Sequence, residues 1–136
     1  MTVYCFTFGA LSGTAVGVLG VVLYCLVING MRGMPGWALG NVVIGIALGL
    51  TFSITKNIKR RCVTLVINVT VILISCAIGI LGVKSLTESL LYFQPFMVRV
   101  AKNLYAFLAD TVMLIISLPF ATLMDGKIQK LIPKLF

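Results

Sequence analysis

Three long stretches of this chain carry no charge at all: Met1 to Met31, Gly33 to Thr55 and Cys62 to Val83. Each is long enough to cross a bilayer, because about 20 helical residues at about 1.5 Å rise span a hydrocarbon core of about 30 Å. A fourth stretch, from about Leu104 to Met124, is interrupted only by Asp110. The whole chain is 60% apolar and 10% charged, well short of the quarter or so of charged residues in a soluble domain. These features predict an all-α integral membrane protein forming one domain over 1–136. Its four transmembrane helices are expected at about 3–29, 37–54, 62–83 and 104–124, with a basic tail at 125–136. The third stretch is rich in Val, Ile and Thr, which favour strands in water. In lipid only a helix satisfies the backbone groups of a lone segment, so helix is expected there too.

The first stretch lacks a basic residue ahead of it and is far longer than the apolar core of a secretory signal, so it is read as a retained span. The net charge of +8 is unevenly placed. Lys56, Lys59, Arg60 and Arg61 follow the second span, and Lys127, Lys130 and Lys134 follow the fourth, whereas Arg32, Lys84, Arg99 and Lys102 fall on the other side. The positive-inside rule then puts the 55–61 loop and both termini in the cytoplasm of a cell-membrane protein. The basic excess is thus an orientation signal. A nucleic-acid partner is not expected, since almost no soluble mass is available to build a binding surface.

Between the third and fourth spans lies the mixed segment KSLTESLLYFQPFMVRVAKN (84–103). Its amphipathic Leu86, Leu90 and Leu91, followed by Pro95, predict a short interfacial helix or turn on the outer side, with the proline preventing one continuous helix from Ser85 to Asp110. The outer loop is expected at 29–36. Asn68-Val-Thr70 has the form of a glycosylation acceptor but lies mid-span.

Glycines recur at the spacing that lets membrane helices approach. Gly9, Gly13 and Gly17 lie four apart, and Gly36, Gly40, Gly45 and Gly49 form a second strip. The first strip either docks a partner subunit or packs on this protein's own helices. Pro35 suits a first helical turn and Trp37 suits the membrane interface. Asn41, about one turn below the outer surface, either bonds a neighbouring helix or lines a pocket. Asp110 is costly at mid-membrane and must face protein, water or a cation. It serves either as a substrate or cation contact or as a structural acceptor. The four cysteines lack CxxC spacing and are read as small packing residues, and the chain has no histidine. No cofactor, metal site or enzymatic activity is expected: one intramembrane carboxylate and no imidazole leave too few catalytic groups.

The order of features resembles the substrate-binding S component of energy-coupling-factor (ECF) vitamin transporters: a glycine-striped span, a short outer loop, PGWALGNVVIGIALGL (35–50), a basic inner loop, and a last span after YFQPF (92–96). In that family the phrase around GWALGN marks the fourth of six helices, so the resemblance implies that this chain corresponds to helices three to six, with the first two absent. It implies a vitamin-like small-molecule site opening outward, with Trp37 stacking on a ring, Asn41 bonding an amide or carbonyl, and Tyr92, Gln94, Arg99, Asn103 and Asp110 supplying polar contacts. It also implies docking through Gly9, Gly13 and Gly17 on a membrane coupling subunit, with ATPase subunits on separate chains. Nickel and cobalt members use a histidine near the N-terminus, which this chain lacks. The alternative is a structural or scaffold subunit of a multi-subunit membrane complex, assembled through the two glycine strips.

Overall fold

The computed structural model describes residues 1–29, 34–58 and 60–131. The centre of the outer loop expected at 29–36, Lys59 of the basic loop, and Lys134 in the tail lie outside the described residues. The elements run α1 (Thr2–Phe8), α2 (Ala10–Tyr24), α3 (Met34–Thr55), α4 (Arg61–Cys76), α5 (Ser85–Tyr92) and α6 (Phe96–Leu131). Helix α2 continues as a π-helical segment over Cys25–Asn29, and a second π segment, Ala77–Lys84, joins α4 to α5 without a break. No strand occurs among the described residues. Four helical stretches are long and apolar enough to cross a membrane: Ala10–Ile28, Pro35–Thr55, Arg61–Tyr92 and Phe96–Asp125. This is the arrangement of a multi-pass membrane protein.

The exposed surface supports the same conclusion. Leu11, Val27, Tyr105 and Met97 are each at least 75% exposed, as are many other large apolar side chains to a lesser degree. In water such a surface would drive aggregation, whereas against lipid tails it carries no penalty. The interior is correspondingly small, built on Cys5, Ile44, Leu48, Phe52, Ile72, Cys76 and Ile80 with Leu118.

The apolar stretch 3–29 is not one helix. The chain turns back at Gly9, whose backbone sits at φ 86°, ψ −173°, a region that side-chain-bearing residues essentially do not enter. Helix α1 therefore folds against the start of α2, with Cys5 over Gly13 and Met1 over Gly17. A hydrogen bond from Ser117 Oγ to Thr2 Oγ1 (2.7 Å) ties α1 to α6 as well. Helices α2 and α3 run antiparallel in close contact, with Gly45 against Thr14 and Gly49 against Ala10. Gly40 and Gly79 bring α3 against the second π segment: a methyl group on either would lie 2.8 Å from the other's carbonyl oxygen. In a bilayer this close backbone approach replaces the hydrophobic drive that holds soluble cores together.

Helix α5 ends at Phe93, which adopts a left-handed conformation (φ 52°). Ser89 Oγ donates to the Gln94 carbonyl (2.7 Å) across the turn, and α6 begins immediately after Pro95. Proline has no N–H to continue a helix but is well suited to precede a new one, so the break falls where the sequence predicts it.

Candidate binding site

The site is assembled at the end of the bundle opposite the 55–61 loop. Gly36 packs on Lys84 and Glu88, and Gly40 on Gly79, so Trp37 and Asn41 are held beside the end of the π segment. Wider π turns change the phase of a helix, and such turns concentrate at functional positions. Here the carbonyl of Ile80 accepts a hydrogen bond from Ser85 Oγ (3.2 Å), and Lys84, Ser85 and Glu88 are all buried.

Glu88 is the centre of a charged cluster. Its carboxylate lies 3.9 Å from Lys84 Nζ and 3.7 Å from Arg99 Nη1. Asn103 Nδ2 donates to Glu88 Oε2 (3.1 Å) and to Ser85 Oγ (2.9 Å), bridging α6 to α5. Two aromatic rings close the cluster. The Arg99 guanidinium sits 4.7 Å from the Tyr92 ring centroid, and the Lys84 ammonium 4.6 Å from that of Trp37. Such contacts are stronger where water is excluded. One carboxylate facing two cations leaves the group net positive.

Trp37 also lines a cavity of about 450 Å³ that opens between α2, α3 and α6. Trp37, Asn41 and Asp110 all line it, together with Tyr24, Ile44 and Met113. Tyr24 meets Trp37 edge-on, with centroids 5.5 Å apart and planes at 88°, which fixes the indole. Asn41 Nδ2 donates to the carbonyl of Trp37 one turn earlier (3.0 Å), so its amide is oriented by its own helix. Half-buried Asp110 brings a carboxylate to the cavity from α6. An aromatic face, an amide and a carboxylate around a cavity of this size suit a small molecule with a ring and hydrogen-bonding substituents. Among the described residues no group of three His, Cys, Asp or Glu side chains gathers that could hold a metal ion.

The seven binding residues expected from sequence thus fall into three places. Trp37, Asn41 and Asp110 share the cavity, while Arg99 and Asn103 contact Glu88 and Tyr92 packs on the Arg99 guanidinium. Gln94 lies in the turn, where its buried Oε1 has no hydrogen-bond partner. Lys84 and Glu88 were not foreseen as site residues. Their signal was nevertheless present: opposite charges four apart on a helix share one face, and here they stand at the end of an uncharged span. Gly13 and Gly17, expected either to dock a partner or to pack on this protein's own helices, lie against Cys5 and Met1 of the same chain, and nothing lies within 4 Å of a methyl placed on Gly9. Comparison with known protein families, with curated proteins and with solved structures returns no match.

Proposed function

We propose that the protein is a small-molecule-binding membrane subunit of the ECF S-component type, taking up a vitamin-like ligand from the outer face while a coupling subunit and ATPases on separate chains supply the energy. The observation that carries this reading is the cavity shared by Trp37, Asn41 and Asp110. Its volume of about 450 Å³ lies within the range of about 300–1,000 Å³ usual for ligand pockets. In this reading the 55–61 loop is cytoplasmic, so the cavity faces outward, and α5 with the Phe93–Pro95 turn lies at the outer interface. The charged cluster at Glu88 acts as a support, holding Lys84 against the Trp37 ring. A scaffold would instead fill the space between these residues with its own helices.

The test is purification from the native membrane followed by mass spectrometry of bound small molecules and co-purifying chains. A retained small molecule together with a coupling subunit is the expected result. Trp37→Ala and Asp110→Asn should each lower ligand retention about tenfold, as expected for loss of one buried contact of about 1.4 kcal/mol. Recovery of unrelated membrane subunits alone, with no small molecule, would overturn the reading in favour of a scaffold.

A further inference from the structure

A second, larger cleft lies at the opposite end of the bundle and shares no lining residue with the first. It measures about 720 Å³ and runs between α4 and α6, with Phe6 of α1 at its side. Its walls are apolar, formed by side chains such as Leu65, Ile115 and Leu118. Lys56, Arg61 and Asp125 stand at its basic end, and Asn68 lines it deeper in.

Asn68 is the unusual member. It is only 4% exposed, yet its Oδ1 has no hydrogen-bond partner. An unpaired carbonyl oxygen is costly in hydrocarbon, where water is scarce, so a hydrogen-bond donor from outside the chain is favoured there. The cleft is the route by which such a group arrives. Asn68 follows Arg61 by seven residues on α4, two helical turns or about 10 Å. The interfacial layer on each side of a bilayer is about 5–7 Å thick, so a residue at that depth lies about 3–5 Å below it, at the start of the acyl chains and within reach of water carried down by a lipid's ester groups.

Charge identifies the head group. Lys56 Nζ lies 3.5 Å from Asp125 Oδ1 and 5.0 Å from the Phe6 ring, so its charge is largely answered within the chain. Arg61 is exposed and forms no ion pair among the described residues. Basic pockets between membrane helices collect anionic head groups in this way. We infer that this cleft is a binding site for an anionic phospholipid, whose phosphate sits at Arg61, whose ester-bound water donates a hydrogen bond to Asn68 Oδ1, and whose acyl chain lies between α4 and α6. The inference is independent of the ligand cavity at Trp37.

The full chain, purified in detergent, can be titrated with phosphatidylglycerol and with phosphatidylcholine of matched acyl chains and read by native mass spectrometry. Phosphatidylglycerol should be retained at a concentration at least fivefold lower. Arg61→Gln should abolish that preference, and Arg61→Lys should keep it. Asp125→Asn, which releases Lys56, should strengthen retention of the anionic lipid. Asn68→Leu should weaken both lipids alike, since both carry the same ester groups. Equal retention of the two lipids, or an unchanged preference in Arg61→Gln, would overturn the proposal. So would displacement of the lipid by millimolar inorganic phosphate, which would make the site one for the free anion. Should Arg61→Gln fail to fold, Asp125→Asn decides: unchanged retention counts against the site.

Discussion

At the scale of single residues, Glu88 bears the largest share of the polar interior. It faces two cations and an amide while its side chain is only 7% exposed, so removing it strands Lys84 and Arg99 together in a poorly hydrated place. Loss of one member of a buried ion group costs about 3–5 kcal/mol, because the remaining charges stay buried without a partner. Glu88→Ala is therefore expected to lower the thermal unfolding midpoint in detergent sharply. Lys102→Ala, at an exposed position, should change stability by less than about 0.5 kcal/mol. A Glu88→Ala variant as stable as the parent would remove the cluster from any supporting role. Trp37, Asn41 and Asp110 were legible in the sequence because a large aromatic ring, an amide and an acid are conspicuous in apolar segments. Lys84 and Glu88 were less so: Lys84 weighs first as an orientation signal, and nothing in KSLTE tells that the π segment turns both side chains inward. Gln94 illustrates the reverse case, since its residue type suggested a contact and its side-chain oxygen meets none.

At the scale of elements, the turn at Gly9 is the feature on which the first half of the bundle depends. It lets α1 lie against α2, α3 and α6 at once, and it uses a backbone conformation open essentially to glycine alone. Gly9→Ala should destabilise the fold by about 1–3 kcal/mol even though space for the methyl group is available. Helicity by circular dichroism and the unfolding midpoint in detergent measure this. An unchanged midpoint would mean that α1 and α2 form one straight helix, as their composition alone suggests. The sequence does not mark this turn, for a physical reason. In a uniformly apolar segment no hydrophobic period marks one face from another, so the pattern that usually locates a helix end is absent. The break after α5 was visible because Pro95 removes a backbone donor wherever the chain goes.

At the scale of the whole molecule, the two cavities lie at opposite ends of the bundle, and orientation in the membrane decides which faces outward. A reporter inserted after Arg61 is expected to be inaccessible from outside the cell, in keeping with the basic loop remaining on the cytoplasmic side. Accessibility there would invert the protein and turn the Trp37 cavity towards the cytoplasm. The spacing of charges along the chain was by itself enough to determine a helical chain with four stretches long and apolar enough to cross a membrane, because a bilayer admits few ways to bury an uncharged backbone. It also located the candidate polar residues along those spans. Which of them meet was decided only by the tertiary structure. Neighbours such as Gly40 and Gly79, or Glu88 and Asn103, are brought together by backbone approach and helix phase, and these depend on contacts between segments rather than on the composition of any one of them.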